Sequence, residues 1–196
     1  MAEIKQRQSK YLELFLDREN VLDLGCGRGE FVELLSERGV QVTGVDLNED
    51  MVDFCRDRGL RVVLADIFDY LTELPDESVD GIFAAQVVEH FPPERIAELI
   101  ALGDRKLKPG GIMLAETINT HCPEAMNWFY LDPTHVRPVP VEMLQFLFKQ
   151  GHFRLQSACF SAPVAGSNVS ELLELTESLP REINFYQDYA VVAVRQ

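Results

Sequence analysis

The sequence predicts an α/β fold in which a mostly parallel sheet lies between two layers of helices. Short apolar, β-rich runs alternate with segments of helical periodicity, which is the pattern of βαβ units joined by right-handed crossovers. A glycine-rich turn follows the first run, and an acidic residue ends the second. Open α/β sheets bind ligands at the carboxyl ends of their strands, so the same observations predict a cofactor site.

Five runs are predicted to form the parallel part of the sheet, because each is short and apolar on both faces. They are Val21–Leu24 and residues 42–45, 61–65, 81–85 and 111–115. Apolar spacing predicts helices between them over residues 29–38, 49–58 and Pro93–Lys106. The turn at residues 108–111 ends the last of these helices and begins the next strand.

The two ends of the chain carry different patterns. A helix predicted over residues 8–18 precedes the first strand and is expected to cover the mouth of the cofactor site. The last third contains a predicted helix at residues 141–150, strands at 153–160 and 189–194, and between them a polar loop over 161–180 with a short helix near 171–177. Two strands separated by this long loop predict an antiparallel pair at one edge of the sheet.

Length and composition restrict the class of protein. The 196 residues predict a single domain, and a net charge of −14 disfavours a nucleic-acid partner. The cysteines form no Cys-x-x-Cys pair, so neither zinc nor a disulfide framework is expected, and we predict no metal. The sequence shows no apolar run near 18 residues and no signal-peptide pattern. We therefore expect a cytoplasmic protein without a membrane span; the oligomeric state is not indicated.

The glycine turn has the spacing Gly25-x-Gly27-x-Gly29, and Asp46 follows Gly25 by 21 positions. Glycines allow a backbone to approach a ligand closely at the start of a helix. A carboxylate at this distance is suited to the two hydroxyls of a ribose. Glu30 occupies the place of the third glycine of a dinucleotide fingerprint, and a Walker lysine is absent. By themselves the glycines also fit a purely structural turn.

Further motifs follow in order: Asp66-Ile67 after the third strand, Gln86 after the fourth, and Lys108-Pro109-Gly110-Gly111 before the fifth. With the glycine turn, this series over residues 20–116 resembles the class I S-adenosylmethionine-dependent methyltransferases. The resemblance implies a three-layer Rossmann-like sandwich. Its sheet would have seven mostly parallel strands with the last one antiparallel, and S-adenosylmethionine would be the cofactor. It divides the domain into a cap helix (1–19), a cofactor-binding half (20–116) and an acceptor-side loop with the C-terminal strand pair (117–196).

The resemblance also implies roles for individual residues. Those expected at the methionine part of the cofactor are Asp23, Gly25, Cys26, Gly27 and Gln86. Those expected at the adenosine part are Asp46, Leu47, Asp66 and Ile67, with Asp46 on the ribose and Asp66 on the adenine amino group. Either acid is also suited to capping the following helix.

The acceptor side depends on residues 132–138, which resemble methyltransferases of bacterial O-antigen and capsule synthesis and imply O-methylation of a sugar or glycan-linked acceptor. His135 is the predicted base, with His90 as a second candidate, because histidine accepts protons near neutral pH. Glu116, Asn119 and Arg137 are expected to bind the acceptor. Alternatives are a structural role for His135, another small-molecule acceptor, a nicotinamide-dependent oxidoreductase, or a non-catalytic cofactor-binding module.

Overall fold

A computed structural model describes residues 2–163 and 186–196. One seven-stranded sheet has the order β3-β2-β1-β4-β5-β7-β6. The strands are β1 (Val21–Leu24), β2 (Val42–Asp46), β3 (Val62–Leu64), β4 (Val79–Ala85), β5 (Leu107–Ile118), β6 (Phe153–Pro163) and β7 (Tyr186–Arg195). The pairs joining β3, β2, β1, β4 and β5 are parallel, whereas β7 is antiparallel to both β5 and β6. The prediction of a mostly parallel sheet with an antiparallel last strand is confirmed.

Helices cover both faces of the sheet, which gives the three predicted layers. The α-helices are α1 (Ala2–Gln8), α2 (Glu30–Ser36), α3 (Glu49–Asp57), α4 (Ile67–Glu73), α5 (Pro93–Lys106), α6 (Pro123–Phe129) and α7 (Val141–Gln150). One apolar core joins α4, α5 and α7 to the sheet, and a second joins α2, α3 and the N-terminal segment to the opposite face. The strand order reverses between β1 and β4, so a crevice opens there at the carboxyl ends of the strands.

The N-terminal segment differs from the predicted helix over 8–18. Helix α1 ends at Gln8, and a 3₁₀ helix follows over Ser9–Leu14. The tighter winding brings Leu12 beneath Phe15, whose N–H bonds the Leu12 carbonyl at 2.8 Å. Phe15 is fully buried, with its ring edge-on to Phe31 at 5.4 Å. Packing against the sheet, rather than helical periodicity, sets the conformation here.

Other differences are local. The turn at residues 108–111 lies inside β5 as a bulge, since the pairing with β4 moves from Leu107 to Ile112, and Gly110 has a φ of +79°. Helices α4 and α6 were not predicted. The predicted short helix near 171–177 falls outside the described residues. Within the described residues, no helix is both long and apolar enough to cross a bilayer.

Gly44, in the middle of β2, has no room for a side chain without a shift of its neighbours. A Cβ placed there would lie 2.7 Å from Cys26 Sγ and 3.0 Å from Val32 Cγ2. Gly44→Ala should therefore lower the free energy of unfolding by about 1–3 kcal/mol, the usual cost of overpacking a core. Urea denaturation measures this, with the exposed Gln41→Ala as control, for which a change below about 0.5 kcal/mol is expected. Equal stability of both variants would contradict the close packing of α2 and the glycine turn on β2.

Candidate active site

The glycine turn after β1 is fixed by backbone conformation and by one carboxylate. Gly25, Gly27 and Gly29 all have positive φ, at +69°, +52° and +73°. Asp46, at the end of β2, accepts the Gly27 N–H on Oδ2 at 2.7 Å and the Asn48 N–H on Oδ1 at 2.9 Å. Each carboxylate oxygen retains a further lone pair, so Asp46 can hold the turn and still accept from a ligand.

Two cavities adjoin at this turn, one of about 630 Å³ and one of about 820 Å³. We call them the first and the second cavity. Their shared wall consists of Gly25, Asp46, Asn48, Gln86 and His90. All five lie at or just beyond the carboxyl ends of β1, β2 and β4. The crevice at the strand-order reversal is therefore one continuous site with two arms.

The first cavity has an apolar wall and an acid at its edge. Leu47, Ile67 and Phe91 line it, and Leu47 is 71% exposed, which leaves an apolar side chain free to contact a flat ligand. Asp66 also lines this cavity, while its Oδ1 caps α4 by accepting the Phe68 N–H at 2.8 Å. The alternative of a helix cap thus holds for Asp66. It does not hold for Asp46, because Asn48 caps α3.

The second cavity is lined by charged groups of both signs. Its cations are Arg7 and Arg28, and its acids include Asp132 and Asp188. Gln86, in the shared wall, has a φ of +57°, which is costly for a residue with a Cβ and typical of functional sites. Its amide donates to Asp188 Oδ1 at 3.2 Å.

Glu116, predicted at the acceptor mouth, also lines the second cavity but is largely buried. Its Oε2 accepts a hydrogen bond from the Tyr11 hydroxyl and lies 3.1 Å from Lys10 Nζ. The pKa of Asp188 is raised to about 6 by burial and, secondarily, by the nearby Glu116 charge. The N-terminal segment and β7 therefore complete this wall of the cavity.

The two predicted histidines differ in access. His90 belongs to the wall of both cavities, and burial lowers the pKa of its imidazole. His135 lies behind it, with ring centroids 4.8 Å apart, and stacks on Phe129 at 4.7 Å. Its side chain is only 9% exposed, and its Nδ1 is 2.7 Å from the Phe129 carbonyl oxygen. His90 is thus the histidine that faces the site.

Other predicted residues lie outside both walls in the described part of the chain. Asp23 is buried in β1. Asn119 is buried and donates to the Tyr186 carbonyl at 2.7 Å, and Arg137 is exposed on the loop after α6. The remaining predicted cofactor residues, Cys26 and Gly27, line the second cavity.

Several residues that line the site were not predicted individually, although Asp132 and Thr134 belong to the loop that was assigned to the acceptor side. Trp128 and Asp132 reach the second cavity from α6 and the loop after it, and Thr134 reaches the first. Asp188 arrives on β7, more than 100 residues from Gln86 in the chain. A polar residue at the start of an otherwise apolar strand was the available signal for Asp188.

Asp23 should make the stability of the cofactor-free protein depend on pH. Burial, with smaller contributions from Asp46 and Glu30, raises the pKa of Asp23 to about 8. Between about pH 4 and 8 the unfolded chain loses this proton while the folded chain keeps it, so stability from this group falls as pH rises. Asp23→Asn should therefore gain stability over the wild type between pH 5 and pH 8. Thermal unfolding across that range measures it, and a pH-independent difference would contradict the protonated Asp23.

The sheet, the glycine turn and the acids at the carboxyl ends of β2 and β3 are the features of the class I S-adenosylmethionine-dependent methyltransferase fold. A family model described as "Methyltransferase domain" matches residues 22–115. A ubiquinone biosynthesis O-methyltransferase of Methylococcus capsulatus is 32% identical over 103 residues, 50% of this chain and 43% of that protein. A malonyl-[acyl-carrier protein] O-methyltransferase of Serratia marcescens is 38% identical over 104 residues, 51% of this chain and 38% of that protein.

A similarity that extends over the whole chain is found with a crystal structure. A SAM-dependent methyltransferase from Archaeoglobus fulgidus is 35% identical with a TM-score of 0.88, covering 99% of this chain and 94% of that chain. The chain spans less than half the length of the two curated relatives. It belongs to the S-adenosylmethionine-dependent methyltransferases, whose cofactor is S-adenosylmethionine. This membership favours a methyltransferase over the alternative of a nicotinamide-dependent oxidoreductase.

Proposed function

We propose that this protein transfers the methyl group of S-adenosylmethionine to a hydroxyl oxygen of a small acceptor. The observation that carries the proposal is the pair of cavities meeting at Gly25, Asp46, Gln86 and His90. Such a pair can hold the two ends of a cofactor in its two arms and keep the reactive centre at the junction. The two curated relatives reported above are both named as O-methyltransferases, which supports oxygen as the methylated atom.

The first cavity is proposed to hold the adenosine. Asp46 accepts from the ribose hydroxyls, Leu47 and Ile67 contact the adenine, and Asp66 lies at the adenine edge. The methionine part then passes the glycine turn toward the second cavity. There Arg7 and Arg28 are available to its carboxylate, because both cations line that cavity.

His90 is proposed to receive the acceptor proton. Its Nδ1 lies 3.3 Å from the Thr134 carbonyl and 3.0 Å from Thr134 Oγ1, so Nδ1–H donates and Nε2 keeps the lone pair. The acceptor oxygen attacks the methyl carbon in line with the carbon–sulfur bond. The carbon–oxygen bond forms, the bonding pair moves to sulfur, and the proton goes to Nε2. A lowered imidazole pKa keeps His90 neutral and ready to accept this proton.

The finer prediction of a sugar or glycan-linked acceptor depended on residues 132–138. Of these, Asp132 and Thr134 line the cavities, whereas Arg137 is exposed and is not part of either wall. We therefore propose sugars as one class of acceptor among small compounds that carry a hydroxyl group. We also propose that residues 2–19 cover the cofactor and that the region from residue 117 onward shapes the acceptor side.

A screen with methyl-labelled S-adenosylmethionine tests the proposal. Phenols, sugars, carboxylic acids and amines serve as separate acceptor classes, and S-adenosylhomocysteine formation is measured in each. Calorimetry with S-adenosylmethionine and with NAD runs in parallel. Binding of S-adenosylmethionine with turnover on a hydroxyl class is the expected result. Tight binding without turnover on any class would favour the non-catalytic module, and methylation of amines alone would overturn oxygen as the target.

A further inference from the structure

A carboxylate and two imidazoles lie close together at the His90 end of the wall that the two cavities share. Glu89, His90 and His135 each offer a donor atom, and these atoms lie within 4.8 Å of one another. The Glu89 side chain is fully buried, and its Oε2 accepts from Thr117 Oγ1 at 2.8 Å. Its Oε1 is buried with no hydrogen-bond partner among the described residues. A buried carboxylate oxygen without a partner is costly, and a cation beside it would remove that cost.

Both imidazoles are held in the form that binds metals. His135 Nδ1 lies 2.7 Å from the Phe129 carbonyl oxygen, which can only accept, so Nδ1 carries the proton and Nε2 the lone pair. The Thr134 carbonyl has the same effect on His90. Metal-binding histidines commonly donate their second N–H to a carbonyl or carboxylate in this way, which fixes the ring and its tautomer. His135 Nε2 is 3.9 Å from Asp132 Oδ2, too far for a direct hydrogen bond.

We propose that Glu89, His90 and His135 form a binding site for one divalent first-row transition-metal ion. Two imidazoles and one carboxylate are the donor set of several zinc and non-haem iron sites. Mg²⁺ and Ca²⁺ prefer sites made of oxygen donors alone, so this set selects against them. The site goes against the expectation from cysteine spacing, because its ligands are histidines and a glutamate brought together by the loop after α6.

The position of the site suggests what the ion does. His90 lines both cavities, so an ion held by His90 would lie beside them. An oxygen of the acceptor could fill one of them and be held in position for methyl transfer. In the metal-bound form His90 is a ligand, and the ion takes over the contact with the acceptor oxygen. This role rests on the proposed function, whereas the binding site itself rests on the three side chains alone.

Titration of the full chain with Co²⁺ after treatment with a chelator tests the site directly. We expect one equivalent to bind and to give the visible absorption bands of a coordinated ion, with Zn²⁺ competing and Mg²⁺ not. Glu89→Gln and His135→Ala should each weaken binding at least about tenfold, since loss of even an outer-shell partner costs that much. His121→Ala and His152→Ala are the matched controls and should bind Co²⁺ as the wild type does.

Circular dichroism and S-adenosylmethionine affinity show whether each variant is folded. If Glu89→Gln fails to fold, His135→Ala decides alone, because His135 lies in a loop outside the helices and strands. Absence of stoichiometric Co²⁺ binding, or binding unchanged in the folded variants, would overturn the site. Methyl transfer that persists without Co²⁺ binding would leave the proposed function standing and the metal site refuted. Co²⁺ binding together with a failure to methylate any acceptor class would support the metal site and contradict the proposed function.

Discussion

Asp46→Ala is expected to weaken S-adenosylmethionine binding at least about 100-fold, as measured by calorimetry. Hydrogen bonds to a charged group are each worth about 1.5–3 kcal/mol, and the proposed ribose contacts use two of them. The substitution also removes the acceptor for the Gly27 N–H, so the glycine turn loses its hydrogen bond to the Asp46 side chain at the end of β2. Both effects act on cofactor affinity, whereas the buried sheet core around β2 is left intact.

A second variant at Asp46 and a control separate the effect of the negative charge on cofactor affinity from the effect of the hydrogen bond to the glycine turn. Asp46→Asn keeps an oxygen that can accept from the backbone but loses the negative charge, so we expect an intermediate loss of affinity. Asp57→Ala, at the exposed end of α3, is the matched control and should bind S-adenosylmethionine as the wild type does. Unchanged affinity in Asp46→Ala would remove Asp46 from the ribose site.

His90→Ala is expected to lower turnover on the identified acceptor by about 10²–10⁴-fold, the usual contribution of a positioned base. Affinity for S-adenosylmethionine should change far less, because the proposed ribose and adenine contacts come from other residues. Turnover in the wild type should fall on the acid side with a midpoint below the ordinary histidine pKa, since burial lowers the pKa of His90. Steady-state kinetics across pH measures both effects.

His152→Ala provides the control for His90→Ala, because His152 is an exposed histidine in the turn after α7. Full activity in His90→Ala would exclude His90 from the reaction. His135→Ala distinguishes the two roles of the histidine pair. If His135→Ala lowers both turnover and Co²⁺ affinity, His135 acts as a metal ligand. If it lowers turnover and leaves Co²⁺ affinity unchanged, His135 acts directly on the acceptor.

The sequence by itself determined the parallel sheet and the position of the cofactor turn. Buried parallel strands are short and continuously apolar, so β1, β2 and β4 were predicted within two residues at each end. Gly25, Gly27 and Gly29 need positive φ, which glycine adopts most readily, so their spacing indicated the turn directly. Asp46 is the last residue of β2, and its place beside the turn results from the pairing of β1 with β2. Such features depend on local spacing and on neighbouring strands.

Only the tertiary structure brought together the residues proposed to face the acceptor. The pattern around residue 135 indicated His135 as the base, yet His90 lines both cavities, whereas His135 stacks on Phe129 and lines neither. Asp188 reaches Gln86 because β7 runs antiparallel beside β5, where Asp188 pairs with Ile118, 70 positions earlier in the chain. The Glu89, His90 and His135 cluster likewise forms through packing of the loop after α6. Contacts between distant segments follow from packing, and no local periodicity encodes them.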